Sequence, residues 1–337
     1  MENKEVLLRV RNVKTYFPIR KGVIKRTVGY VRAVDDISLD VYRGETLGLV
    51  GESGCGKTTL GKSILQLVPV TDGSMEYRFQ DGWKDLRKLS RKEMDNGRQK
   101  IQIVFQDPYS SLNPAFTIYG SLEDPLIKFG MKNRQERIER IARLLEDVNL
   151  PREYMTRYPN EFSGGQRQRI GIARALSVDP ELIICDEAVS ALDVSIQAQV
   201  LKLLNKLKDE HGLTYIFITH DLSVVEYLAD RIAVMYLGRI VELTTSDELF
   251  GNTLHPYTQA LISAIPVADV RKKKKRVPLQ GDVPSPAKPP EGCTFHPRCP
   301  RCTERCRKER PELREYTVNG ISHFVACHLA VAPVADG

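Results

Sequence analysis

The sequence predicts an α/β fold: a parallel sheet covered by helices on both faces, followed by a small cysteine-rich C-terminal appendage. Three observations predict it. Short runs rich in β-branched residues alternate with amphipathic helical segments along most of the 337-residue chain. One of those runs ends in a glycine-rich loop that opens a helix. The charge and the cysteines are also unevenly placed. Residues 1–270 hold 36 basic and 36 acidic side chains, whereas residues 271–337 hold 14 and 7, together with five of the seven cysteines.

The bulk numbers exclude several classes. With 42% hydrophobic and 28% charged residues, the chain can bury a substantial core, and global disorder is excluded. Its length suits about two domains. No run approaches the ~18 apolar residues of a membrane helix. The opening MENKEVLLRV is charged and lacks the apolar stretch of a signal peptide, so the chain is expected to stay in the cytosol. In that compartment clustered cysteines favour a metal site over disulfides.

Taken in order, residues 7–17 read as a strand and TLGLVG (46–51) as a buried strand meeting a turn. Residues 57–68 follow a helical pattern that stops before Pro69. Residues 74–100 are polar and read as a hairpin or loop excursion. IQIVF (101–105) is a buried strand. In 134–149, Ile138, Ile141, Leu144, Leu145 and Val148 recur at helical spacing. Helix is expected over 164–178, strand over 182–186, helix over 195–210 and strand over 214–219, with further alternation to about residue 243. Residues 266–292 are a Pro- and Lys-rich linker, and the cysteine-rich module is 293–330.

GESGCGKT (51–58) carries the chemistry. Its glycines let backbone N–H groups turn inward around phosphate oxygens, and the helix that follows adds a positive N-terminal field. Gly51, Ser53, Gly54, Cys55, Gly56, Lys57, Thr58 and Thr59 form this candidate site. Lys57 would reach the terminal phosphates and the Thr58 hydroxyl would bind Mg²⁺. LIICDE (182–187) is an apolar strand ending in two carboxylates. Asp186 would support Mg²⁺, and Glu187 would orient or deprotonate the attacking water. Gln106 and His220 each end a strand. Such positions are usually solvent-facing or packed, but beside a nucleotide Gln106 could touch Mg²⁺ or the water, and His220 could donate to the γ-phosphate.

FSGGQRQR (162–169), lying between the loop and the acidic pair, resembles the signature motif of ATP-binding cassette (ABC) ATPases. VSALD (189–193) resembles their D-loop, Gln106 their Q-loop glutamine and His220 their switch histidine. The resemblance covers residues 5–265. It implies a P-loop NTPase core of the ABC type over residues 1–265, with a helical subdomain at about 107–180. It also implies that Ser163, Gly164, Gly165 and Gln166 act on the ATP held by a partner subunit. Phe162 stands where leucine is commonest. Phe17 aligns with the aromatic that stacks on adenine, with Tyr16 the alternative.

FQDPYSSLNP (105–114), HPYTQALISAIP (255–266) and GDVPSPAKPPEGCTFHPRCP (281–300) resemble the ATPases of dipeptide and oligopeptide importers, and residues 44–65 their F-type subunit more than their D-type. That implies a heterodimer with a D-type subunit. It would dock on two membrane permeases at the cytoplasmic face of the membrane, supplied by an extracytoplasmic binding protein. No nucleic-acid partner is expected. Related importers carry oligosaccharides or nickel. Rivals of another kind are a DNA-maintenance ABC ATPase with a zinc module and a non-catalytic nucleotide sensor.

The tail leaves two four-ligand sets: Cys293, Cys299, Cys302 and Cys306, or Cys293, Cys299, Cys306 and Cys327. The resemblance favours the second and implies a [4Fe–4S] cluster, with zinc as the alternative, since Cys₄ sites suit both. RKKKKR (271–276) admits a solvated linker, a contact for anionic lipid headgroups or a nucleic-acid contact.

Overall fold

The computed structural model describes residues 5–22, 25–107, 109, 112–265, 277–318 and 320–331. Much of the expected linker, RKKKKR included, therefore lies outside the described residues. The chain divides into two compact units interleaved in sequence. The first is Val6–Val41, Thr46–Arg87 and Thr219–Gly337; the second is Met1–Glu5, Tyr42–Glu45 and Lys88–Ile218.

The first unit opens with β1 (Val6–Lys21), β2 (Arg26–Tyr42), β3 (Thr46–Val50), α1 (Lys57–Ile64), β4 (Asp72–Phe79) and β5 (Gly82–Asp85). Four of these strands make a sheet in the order β2-β1-β4-β5. Their inward positions, Leu8, Val10, Val34, Ile37, Met75 and Tyr77, are fully buried. On the outer side the Arg9 guanidinium lies 4.0 Å over the Trp83 ring. The pairing is antiparallel, with Val10 opposite Met75 and Arg78 opposite Trp83, which the strand–helix alternation did not foretell. Helix α1 ends at Ile64, short of the expected 68, because Gln66 turns to φ 54°.

The second unit contains α2 (Arg91–Lys100), β6 (Ile101–Val104), α3 (Ile118–Lys128), α4 (Arg134–Asp147), α5 (Gly164–Leu176), β7 (Leu182–Asp186), α6 (Val194–His211) and β8 (Thr214–Thr219). Strands β6, β7 and β8 are parallel, with Ile101 opposite Leu182 and Leu182 opposite Thr214. Strands β7 and β8 are buried at every position, which is why they stand out in the sequence as largely apolar runs, whereas β6 is buried only at Ile101 and Val104. Of the stretch 74–100 expected as a hairpin or loop, β4 and β5 do form an antiparallel hairpin, but Arg91–Lys100 is helix α2. It starts on a capping box in which the Ser90 hydroxyl accepts from Glu93 N–H and the Glu93 carboxylate accepts from Ser90 N–H.

The first unit resumes with α7 (Leu222–Leu228), β9 (Arg231–Tyr236), β10 (Arg239–Thr245), α8 (Ser246–Gly251), α9 (Pro256–Ser263), α10 (Glu304–Lys308), β11 (Arg314–Val318) and β12 (Ile321–Val325). Strand β9 runs parallel to β3, but β9 and β10 form an antiparallel hairpin where alternation with a helix was expected.

The tail is no separate appendage. Strand β12 pairs with β10, Glu242 opposite Val325, and β11 adds beyond it. Phe295 is 1% exposed and packs edge-on against Tyr236 at 5.3 Å and beside Tyr257 at 5.4 Å. A segment too short to bury a core of its own shares that of the first unit. Behind β10, the buried Glu242 carboxylate accepts from Leu254 N–H and His255 N–H and pairs with His323 Nε2 at 2.8 Å.

Candidate active site

In the first unit, β3 delivers the chain into the phosphate loop and α1 carries it away. Two glycines are obligatory there. Gly56, the N-cap of α1, has φ 107°, and a Cβ on it would collide with the Ala33 carbonyl oxygen; a Cβ on Gly51 would collide with that of Met235. Helix α1 has no side-chain cap and no acidic residue in its first turn, so its N-terminal field is left for an anion. Lys57 is 4% exposed. Its ammonium donates to Gly51 O at 2.7 Å and Glu52 O at 3.1 Å and meets Cys55 Sγ at 3.7 Å. Ser53 and Gly54 are exposed, Thr58 and Thr59 half-buried. Burial raises the pKa of the Cys55 thiol, which packs as a small apolar residue. His220 is exposed where β8 ends.

The two candidates for adenine stacking differ in what engages them. The Phe17 ring is 37% exposed. The Tyr16 hydroxyl is committed to the Asp35 carboxylate at 2.5 Å. Burial, and then that bond, push Tyr16 up to about 12. Burial works against ionisation of Asp35, but the Tyr16 bond and Arg239, at 2.8 Å, hold its pKa below the usual carboxylate value.

In the second unit, Asp186 ends β7 at 5% exposure. Glu187 follows at φ 49°, a left-handed conformation uncommon for a residue with a Cβ, with its N–H held by Ile218 O at 2.9 Å. Gln106 Nε2 donates to Glu187 Oε2 at 2.9 Å. Ser163 caps α5 through a capping box with Gln166. A Cβ on Gly165 would collide with Ile196 Cγ2, so only glycine lets α5 approach α6 there. Phe162 is buried and packs edge-on to Tyr154 at 5.2 Å. Gln106, Ser163, Gly164, Gly165 and Asp193 line a common cleft of about 580 Å³. The unit thus gathers glutamine, signature and D-loop residues around one space.

In the tail, Cys293, Cys299 and Cys327 have thiol pKa values raised by burial, Cys293 to about 11, and all three feel one another or Cys306 electrostatically. Cys302 instead meets Thr303 O at 3.5 Å. Thiols gathered in this way are chemically the donors a cationic centre would need. Yet among the described residues no group of three or more His, Cys, Asp or Glu side chains is arranged to hold a metal ion. The expected Cys₄ centre on Cys293, Cys299, Cys306 and Cys327 is thus not seen as an assembled ligand group among the described residues.

Sequence reasoning missed Glu52, Tyr257 and Arg298. Arg298 Nη1 and Nη2 donate to the two Glu52 carboxylate oxygens at 2.7 and 3.1 Å, and Glu52 N–H donates to Tyr257 Oη at 2.9 Å. All three lie in quoted segments, but no local pattern joins residues some 200 positions apart.

A strand–loop–helix phosphate site, an acidic strand end and a signature helix define an ABC ATPase. Family comparison agrees, and it goes further: the ABC transporter family matches residues 34–190, and the oligopeptide/dipeptide transporter C-terminal region matches residues 241–306. The chain belongs to the ATP-binding subunits of the oligopeptide/dipeptide ABC importer family. It is 52% identical over 330 residues to the oligopeptide transport ATP-binding protein AppF of Bacillus subtilis, covering 97% of this chain and 98% of that one. It is 50% identical to the probable peptide ABC transporter ATP-binding protein y4tS of Sinorhizobium fredii, covering 98% and 92%. Among solved structures, the dimeric ATP-binding cassette MJ0796 with ADP and Pi superposes with a TM-score of 0.62 at 29% identity, over 71% of this chain and 99% of that one.

Proposed function

We propose that this chain is the ATP-hydrolysing subunit of an importer for dipeptides or oligopeptides, and that closure of an ATPase dimer around MgATP drives transport through partner permeases. The observation that carries the reading is the presence in one chain of an ABC transporter domain and a peptide-transporter C-terminal region. The names of its relatives support it. In this reading Gly51, Ser53, Gly54, Cys55, Gly56, Lys57, Thr58 and Thr59 hold the triphosphate, and Phe17 stacks on adenine. Thr58, Gln106 and Asp186 serve Mg²⁺. Glu187 is the general base, assisted by Gln106 and His220. Ser163, Gly164, Gly165 and Gln166 act on the nucleotide of the partner subunit.

The partner ATPase is proposed to be a D-type subunit, and the assembly to lie at the cytoplasmic face of a membrane, docked on two permeases and fed by an extracytoplasmic binding protein. Among the described residues no helix is long and apolar enough to cross a membrane, so the membrane path falls to those partners. A [4Fe–4S] cluster, or zinc, on Cys293, Cys299, Cys306 and Cys327 is proposed on the resemblance of their spacing to the family pattern. Iron, zinc and sulfide analysis with an anaerobic absorption spectrum tests it; zinc without iron, or no metal, overturns the cluster. The function itself is tested by MgATP hydrolysis of the chain reconstituted with its partner ATPase, and the reading fails if the pair binds no ATP.

A further inference from the structure

Glu52, the second residue of the phosphate loop, is gripped at three points. Its N–H donates to Tyr257 Oη at 2.9 Å and its carbonyl oxygen accepts from Lys57 Nζ at 3.1 Å. Its carboxylate takes both terminal nitrogens of Arg298, at 2.7 and 3.1 Å. Neither charged partner is a surface side chain: Arg298 is 6% exposed and Glu52 25%. Arg298 belongs to the short turn His296–Arg298, whose preceding residue, Phe295, is locked among Tyr236, Tyr257 and His255. The guanidinium is therefore fixed from behind by the aromatic core and faces the loop with its planar fork.

This arrangement answers a chemical difficulty. The loop is built to receive a polyanion, yet Glu52 places a carboxylate in it. Left alone, that carboxylate would repel the triphosphate and would be free to swing toward the N-terminus of α1, where an anion is favoured.

The geometry points to Arg298 as a positioning residue for ATP binding, which neutralises Glu52 and holds its carboxylate turned away from the phosphates. The C-terminal region is then a working part of the nucleotide site as well as a structural extension. The inference rests on the ATPase reading above, and adds to it a residue outside every nucleotide motif.

The test is MgATP binding by the full-length chain, read by titration with a fluorescent ATP analogue, in wild type, Arg298→Gln, Glu52→Gln and the double variant. Arg298→Gln is expected to weaken binding about 10-fold, by exposing the phosphates to an uncompensated carboxylate. Adding Glu52→Gln to it removes the offending charge and is expected to bring binding back to within about 2-fold of wild type. A merely structural role for Arg298 predicts the opposite, a double variant no better than Arg298→Gln, and that result overturns the inference. So does wild-type affinity in a folded Arg298→Gln. If Arg298→Gln does not fold, Glu52→Gln alone decides: binding at least as tight as wild type supports the inference, and weaker binding overturns it. A wild-type chain that binds no MgATP would overturn the ATPase reading itself, and is distinguishable from the other outcomes because no variant is involved.

Discussion

The carboxamide of Gln106 donates a 2.9 Å hydrogen bond to the carboxylate of Glu187, so a residue two positions past β6 and the one that follows β7 are linked beyond the ends of the parallel pair. The bond fixes where the Glu187 carboxylate points, while the left-handed backbone of Glu187 and its N–H bond to Ile218 fix where the side chain starts. A carboxylate set in this way suits a group that must meet a water in one orientation.

Glu187→Gln preserves the shape of that link and removes the carboxylate proposed as the base. The variant is expected to keep ATP affinity and to lose hydrolysis by roughly 10²-fold or more. Parallel measurements of nucleotide binding and phosphate release check it.

Lys57→Ala should act on binding instead. It removes a buried ammonium that already donates to Gly51 and Glu52 and would be redirected to phosphate oxygens. A loss of affinity of roughly 10- to 100-fold is expected, as for a charge-assisted bond, measured by titration with MgATP.

Gly165→Ala drives a Cβ into Ile196 Cγ2. Overpacking of this kind costs about 1–3 kcal/mol, to be read by thermal or denaturant unfolding. Ile196→Ala in the same chain should recover part of the loss, since it removes the atom that collides.

Stability should fall as pH drops below neutrality. Burial lowers His255 to about 4, against an ordinary value near 6.5, with Glu242 opposing the shift and Arg301 adding to it. The imidazole is neutral in the fold and accepts from Tyr257 N–H at 3.1 Å. The unfolded chain takes up a proton below pH 6.5 and the folded chain does not until about pH 4. This contribution is therefore fully present above pH 6.5 and is lost progressively between 6.5 and 4, up to roughly 3 kcal/mol. Unfolding curves across that range, compared with His255→Asn, which keeps an acceptor for the α9 N-terminus, isolate the effect.

The parts of the fold that were legible in the sequence are those whose signal is local. Strands β7 and β8 are buried on both faces and stand out as apolar runs with the observed limits. The phosphate loop declares itself through glycines that no other residue could replace. Helix α2 escaped because its ten residues, RKEMDNGRQK, carry almost no apolar stripe, although the Ser90–Glu93 capping box was readable. The β10–β12 pairing escaped because Glu242 and Val325 lie far apart along the chain. The same distance hid Arg298 from Glu52. The cysteines were visible as a spacing, but spacing does not show that Phe295 and Val325 would draw the tail into an existing core.

The central claim is that ATP hydrolysis by this chain powers peptide import. It is tested most directly by uptake of a labelled oligopeptide in cells lacking the chain and complemented with wild type or Glu187→Gln. The account predicts that wild type restores uptake and Glu187→Gln does not. Uptake unaffected by loss of the chain, or restored equally by both, would contradict it.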